Sequence, residues 1–453
     1  MEWVLRFQDG TVIVDGAKCE DLPTGFLWDH RIQAPRGPAF LYPLVVYRAL
    51  ERQIPYKDLA RQWKALDDLK LHLQKQPRKY QNNACQAWLE NNRRGIVVLP
   101  TGSGKSFVAE LLISIVKRPT LIIAPTLDLV GQWYDNIRTS FDEEVGILGG
   151  GFHEVRRLTI STYDSAQLYL SKYGDRFCFL IYDEVHHLPS PSNILASKTS
   201  MAPFRLGLTA TLEREDGRES ILNSVLGNVV FRKEITELSG SFLADYEVVR
   251  IWVDLSEEEL QAYQTAREEY LSFLKEKQIV MSSGGWNVFL REASRSKIGR
   301  QAFLSYQIAK RISHGADSKI RVLGNVLARE RGRKTLVFTN DNATAYKISN
   351  MFLIPCITHQ TDVKERRSLL GKFASGTLPI LVTSRVLNEG VDIPEAEVAV
   401  VLSGTGTVRE HVQRLGRILR PRLGKKAIMY ELVAAGTTEH FTSERRRRHD
   451  AYR

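Results

Sequence analysis

The sequence predicts an α/β protein with two parallel-sheet domains, a small N-terminal α+β domain and a helical insertion. Three observations carry that prediction. Short apolar runs alternate with helical patterns from residue 76 to about 235, and the alternation returns from "KTLVFTN" onward. Such a rhythm packs helices on both faces of a parallel sheet. Residues 256–305 break it with helical periodicity alone. The chain of 453 residues, 43% of them hydrophobic, also exceeds what one core ordinarily organises.

Residues 1–75 stand apart. "EWVLRFQDGTVIVDG" reads as two short strands around an Asp-Gly turn. A Pro- and aromatic-rich stretch follows, "DLPTGFLWDHRIQAPRGPAFLYP", in which Trp28, Phe40 and Tyr42 suit a core better than base stacking. "YKDLARQWKALDDLKLHL" then carries apolar residues at helical spacing. Between 76 and 237 the strand candidates are "GIVVLP", "PTLIIAPT", "RRLTISTY", "FCFLIYDE" and "FRLGLTAT". Helices are expected at "SFVAELLISIVKR" and "LDLVGQWYDNIRTSF".

In the insertion, Ser256 followed three residues on by Glu259 forms a capping box ahead of a periodic run. After "SGG", the stretch "WNVFLREASRSKIGRQAFLSYQIAK" resumes a basic helical pattern, which predicts a hairpin. Beyond it "KTLVFTN", "ILVTSRV", "EVAVVLSG" and "KKAIMYELV" read as strands. "TAYKISNMF", "KERRSLLGKF" and "VREHVQRLGRIL" read as helices. The expected domains are therefore 1–75, 76–237 and 238–453, the last containing the insertion 256–305.

The net charge of +11 favours polyanionic or acidic partners. Cys19, Cys85, Cys178 and Cys356 are scattered with no C-x-x-C pair, which disfavours a zinc ribbon or iron–sulfur cluster and fits a reducing compartment. No signal peptide and no apolar run of about 18 residues is read, so a cytoplasmic location without membrane contact is expected. The run Arg445–Arg448 is more often a solvated tail than a phosphate site.

"LPTGSGKS" (99–106) lies between a strand and a helix. Gly102 and Gly104 permit positive φ, so the turn aims N–H groups and the helix N-terminus at a phosphate. Thr101, Ser103 and those glycines form the cradle, Lys105 reaches the β- and γ-phosphates, and Ser106 meets magnesium. Leu99 occupies the first glycine position of the strict pattern. "FLIYDEVHH" (179–187) is an apolar run ending in acids and imidazoles. It fits zinc, magnesium with a water, or strand-end polarity. The upstream phosphate loop favours magnesium, held by Asp183 through a water, with Glu184 orienting and deprotonating the attacking water. "DEVHH" does not match H-E-x-x-H. His186 suits a relay from the phosphates to a neighbouring segment.

"TGSGKS", "DEVHH", "LTATLERED", "VLNEGVDIP" and "QRLGRILRP" together resemble a superfamily 2 helicase over residues 78–421. The closer resemblance, with Arg214-Glu215-Asp216 directly after "TAT", is to the XPB-type DNA helicases in a short, archaeal-like form. The resemblance implies two RecA-like motor domains, ATP and magnesium as cofactors, and DNA as partner. Arg78, Tyr80 and Gln81 match the adenine-recognition segment, with Lys79 where proline is common. Thr126, Gln132 and Thr162 fall in segments that track a DNA backbone. Thr209 and Thr211 match the motif coupling hydrolysis to movement, and Arg214, Glu215 and Asp216 an element that separates strands. Gly390 and Asp392 lie in a loop touching nucleotide and strand. Gln413, Arg417 and Arg420 match Q-x-x-G-R-x-x-R, whose arginines reach the γ-phosphate. Spacings of three and four put them on one helix face.

The resemblance further implies a damage-recognition role for residues 1–75, a DNA-gripping thumb at 256–305, 3′→5′ polarity, a role in excision repair or transcription, and a partner nuclease; a monomer is expected. The motifs encode the motor and not its track. A duplex translocase, an RNA motor, and a basic DNA-binding scaffold with a structural ATP site stay open as alternatives.

Overall fold

The computed structural model describes residues 2–72, 76–212, 220–238, 245–281, 285–384, 396–403 and 426–447. They divide into two compact units on either side of Glu234.

The first unit opens with a five-stranded sheet of β1 (Trp3–Gln8), β2 (Thr11–Asp15), β3 (Leu27–Asp29), β4 (Ala34–Pro38) and β5 (Tyr56–Asp58), in the order β3-β4-β2-β1-β5. Asp9 (φ 49°) and Gly10 (φ 74°) form the two-residue turn between β1 and β2. Two positive φ angles in succession match the twist of the strands they join.

The helix expected over "YKDLARQWKALDDLKLHL" does not form. Its start is β5, parallel to β1. Asp58 Oδ1 accepts from the Ala60 and Arg61 N–H groups at 3.1 and 3.2 Å, turning the chain. Farther on, Leu66 N–H donates to the Lys117 carbonyl and His72 N–H to the Ser140 carbonyl. Those donors are thereby lost to a helix ladder. Ala60, Trp63, Leu66 and Leu69 are all buried, so an irregular strap buries every third residue and imitates helical spacing. The helix of this region is Tyr42–Glu51 instead, with Pro43 in its first turn, where proline costs no hydrogen bond. Of the three aromatics singled out in the sequence, Tyr42 is buried and Phe40 packs against the core, whereas Trp28 is exposed. That core runs without a break from Trp3, Leu5, Val12 and Val45 into Cys178 and Met201 of the following layer.

The second sheet contains β6 (Arg94–Val98), β7 (Thr120–Ala124), β8 (Val145–Gly149), β9 (Phe152–His153), β10 (Leu158–Thr162), β11 (Phe179–Tyr182), β12 (Phe204–Thr209) and β13 (Val229–Arg232). Its order is β13-β6-β12-β11-β7-β10-β8-β9. Every pairing is parallel except β8 with β9. The loops leaving β6, β12, β11, β7 and β10 therefore share the carboxyl edge of the sheet, where α/β proteins place their ligands.

The second unit holds β14 (Asp245–Val253), β15 (Thr335–Phe338), β16 (Cys356–Ile357), β17 (Ile380–Thr383), β18 (Val398–Val401) and β19 (Lys426–Ala434). They form a wholly parallel sheet in the order β14-β19-β18-β15-β17-β16. Helices Glu257–Glu276, Gly285–Arg295 and Lys297–Gly315 are inserted between β14 and β15. The Ser256–Glu259 capping box is present. The basic stretch is two helices, because Ser296 leaves helical geometry and its Oγ accepts from Gly299 N–H at 2.9 Å as a new N-cap. The helices pack through their own cluster of Phe273, Leu274 and Phe289.

Lys319 and Glu439 form a fully buried ion pair at 2.7 Å, and Glu439 also accepts from Ala434 N–H. The pair ties the helix Asp317–Arg329 to the last helix, Glu439–Arg447. Lys319→Met strands a buried carboxylate and is expected to cost about 3–5 kcal/mol, with Lys319→Met/Glu439→Leu recovering most of it. Denaturant midpoints followed by circular dichroism read both.

Candidate nucleotide site

The phosphate loop joins β6 to the helix Lys105–Val116. Gly102 and Gly104 have φ of 83° and 84°. A Cβ on Gly104 would lie 2.6 Å from Gln81 Nε2, so the position demands glycine for space as well as for conformation. No side chain caps the helix, which leaves first-turn N–H groups for a ligand. Leu99 explains the missing glycine. It is buried and its N–H donates to the Thr209 carbonyl at 3.0 Å, so the residue extends the sheet and its side chain belongs to the core. Lys105 Nζ donates to the Leu99 carbonyl at 3.2 Å, and Ser103 Oγ to the Pro100 carbonyl at 2.6 Å. Ser106 is half-buried in the first turn of the helix.

Arg78, Tyr80 and Gln81 brace this loop from the helix Lys79–Glu90. Tyr80 O–H and Gln81 Nε2 both donate to the Ser103 carbonyl, at 2.5 and 3.0 Å. Gln81 Oε1 accepts from Arg78 N–H at 2.9 Å, which fixes the orientation of the amide. Lys79 is the first helical residue, a place where proline is favoured because the N–H has no helical partner and where lysine fits as well.

Asp183 and Glu184 follow β11. Asp183 is buried; its Oδ2 accepts from Trp133 Nε1–H at 2.8 Å and its Oδ1 from Glu184 N–H at 3.0 Å. Burial pushes its pKa up, against the Trp133 hydrogen bond and the Lys105 charge, which pull it down. Tyr163 O–H donates to the Asp183 carbonyl at 3.0 Å. Glu184 has left-handed backbone, φ 46° and ψ 56°, rare for a side chain of its size. Its Oε2 lies 3.5 Å from His186 Nδ1. His186 Nδ1 is in turn 3.1 Å from Thr209 Oγ1. The Thr209 hydroxyl donates to the Thr211 carbonyl at 2.6 Å, so the hydrogen between His186 and Thr209 belongs to the imidazole Nδ1. Glu184, His186, Thr209 and Thr211 thus form one chain of polar contacts.

Among the described residues of these loops, three buried side-chain oxygens make no hydrogen bond: Thr101 Oγ1, Glu184 Oε2 and Thr211 Oγ1. An orphaned buried oxygen costs about 1–3 kcal/mol. Three along these loops, beside glycines that admit close approach, fit a phosphate with metal-bound water.

The expected DNA-tracking residues serve as helix caps. Thr126 Oγ1 accepts from Leu129 N–H, opening the helix Leu127–Phe141, and Thr162 Oγ1 accepts from Ser165 N–H, opening Tyr163–Tyr173. Gln132 is half-buried on the first of these helices. Arg214, Glu215, Asp216, Gly390, Asp392, Gln413, Arg417 and Arg420 lie outside the described residues. Trp133 and Tyr163, which hold Asp183, escaped the sequence reading, although each adjoins a residue that it named.

A phosphate loop and a strand-end acid pair at the carboxyl edge of a parallel sheet, in a chain whose second unit carries a parallel sheet of its own, define a two-lobed P-loop motor. Three family descriptions match: "Xeroderma pigmentosum group B helicase damage recognition domain" over 5–60, "Type III restriction enzyme, res subunit" over 74–214 and "Helicase conserved C-terminal domain" over 318–422. The chain is 38% identical to the DNA 3′-5′ translocase XPB2 of Sulfurisphaera tokodaii, covering 98% of this chain and 99% of that one. It is 31% identical to the DNA 3′-5′ helicase XPB of Kineococcus radiotolerans over 82% of this chain and 62% of that longer one. The Hef helicase domain of Pyrococcus furiosus shares the fold, with a TM-score of 0.53 at 19% identity, over 81% of this chain and 98% of that one. The chain belongs to the XPB family of superfamily 2 helicases.

Glu110, on the helix that follows the phosphate loop, is buried and accepts from Ser140 Oγ–H at 2.9 Å. Burial raises its pKa from 4.5 to about 7. The carboxyl therefore does not penalise the fold below about pH 4.5; the penalty grows as pH rises toward 7 and is constant above it. Glu110→Gln is expected to stabilise the first unit at pH 8 by on the order of 3 kcal/mol and to change little at pH 4. Thermal melts at the two pH values check the sign.

Proposed function

We propose that the chain is an ATP-driven 3′→5′ DNA helicase or translocase acting in excision repair or transcription. The observation that carries this is the acid pair after β11, joined by His186 to the Thr209–Thr211 segment. A hydrolytic carboxylate and a segment that reports its state are in contact, as a motor requires.

The phosphate loop binds the β- and γ-phosphates through its N–H groups and Lys105. Ser106 and, through a water, Asp183 would hold magnesium, which when bound neutralises charge on the phosphate oxygens. Glu184 orients the attacking water and takes its proton. Arg417 and Arg420, with Gln413, stabilise the spreading charge at the γ-phosphate; such arginines contribute roughly 10³–10⁵ in rate. Gly390 and Asp392 touch nucleotide and strand. Closure and reopening, with unequal grip on DNA in the two states, convert turnover into steps.

The working domain division is 1–75, 76–237 and 238–453, with the inserted helices as a thumb and the N-terminal domain reading DNA damage. Arg214, Glu215 and Asp216 wedge the strands apart. The protein acts as a monomer with a partner nuclease. The name of the Sulfurisphaera relative, a DNA 3′-5′ translocase, favours movement along DNA without strand separation as the second reading.

Lys105→Ala and Glu184→Gln are each expected to lower DNA-stimulated ATP turnover at least about 10²-fold while DNA binding persists. Wild-type turnover in Glu184→Gln would remove that carboxylate from its role. Strand displacement on a 3′-tailed duplex, run beside the ATPase assay, separates unwinding from translocation, and stimulation by RNA alone would end the DNA reading.

A further inference from the structure

The acid that would hold magnesium is gripped by both segments assigned to the DNA track. Trp133 donates its indole N–H to Asp183 Oδ2 at 2.8 Å, and Trp133 lies in the second turn of the helix that Thr126 caps. Tyr163 donates its hydroxyl to the Asp183 main-chain carbonyl at 3.0 Å, and Tyr163 is the first residue of the helix that Thr162 caps. All three side chains are buried. The same Trp133 helix reaches the phosphate-loop helix at its other end, where Ser140 Oγ donates to Glu110.

These bonds are short, directional and closed to water. A shift of either helix along its axis must stretch a hydrogen bond to Asp183 or carry the acid with it. Close-packed protein interiors switch between arrangements rather than deform smoothly. We propose that Trp133 and Tyr163 are positioning residues that make DNA binding at the caps of their helices and magnesium–nucleotide binding at Asp183 interdependent within the first lobe. This rests on the DNA-motor reading above. Neither residue touches phosphate or DNA; each acts through Asp183.

The test is a linkage cycle on the full chain. DNA affinity is measured by fluorescence anisotropy with and without a non-hydrolysable ATP analogue and magnesium. The magnesium midpoint for binding a fluorescent ATP analogue is measured with and without DNA. Wild type is expected to show a coupling of the order of 5–150-fold. Trp133→Phe keeps an aromatic ring and loses the donor; Tyr163→Phe loses only the hydroxyl. Each is expected to bring the coupling ratio toward one, and Trp133→Phe to raise the magnesium midpoint roughly tenfold. DNA affinity without nucleotide should stay as in wild type.

A folded variant, judged by its melting temperature, that keeps the wild-type coupling ratio overturns the proposal, whatever its magnesium midpoint. If Trp133→Phe does not fold, an unchanged ratio in Tyr163→Phe overturns it equally. Wild type that binds both ligands with no linkage overturns the inference and leaves the motor assignment standing. Wild type that binds no DNA ends both.

Discussion

The structure turns on a carboxylate taken out of water at the end of β11. Burial opposes the ionised form of Asp183. The fold answers with fixed donors: an indole from one helix and the N–H of the next residue, with the Lys105 charge nearby. The indole and the N–H are held by packing and by the chain itself, which is the condition for strong electrostatic stabilisation in a dry site. The parallel order β6-β12-β11-β7-β10 exists, in effect, to bring their carriers to one edge.

The N-terminal sheet contributes to the same rigidity. Its core is continuous with Cys178, immediately before β11, and with Met201, shortly before β12. The strap of Ala60, Trp63, Leu66 and Leu69 then runs across the motor lobe, and His72 N–H donates to the carbonyl of Ser140, whose hydroxyl bonds Glu110. A domain attached this way cannot swing freely against its lobe.

Much of this was legible in the residues. "FLIYDE" between turn signals reads as a buried strand because four apolar residues are too few for a helix. "TGSGKS" carries its mechanism in its spelling. The Asp-Gly turn of β1 and β2 follows from the two positive φ angles such a hairpin needs. The strap misled because burial of every third residue has the same signature as a helix, and only its hydrogen-bond partners, remote in sequence, distinguish the two. β8, "VGILG", was missed because glycines dilute its apolar signal. Trp133 is buried in the core, and its N–H finds Asp183 fifty positions away; no local pattern records such a pairing.

The left-handed backbone of Glu184 follows from the same requirement. Successive side chains of a strand point to opposite faces. Two adjacent acids on an uninterrupted strand would therefore be directed apart, one of them into the helices that cover the sheet. On the function proposed above, the two acids must instead serve one phosphate. Reversing the chain at the second acid solves this, and φ 46° at Glu184 is that reversal. The strain is held in place because the Glu184 N–H is bonded to Asp183 Oδ1 and the Glu184 carbonyl to His187 N–H. Glycine at this position would relieve the backbone and remove the carboxylate. The chain keeps glutamate and bears the strain, as expected where chemistry outweighs local stability.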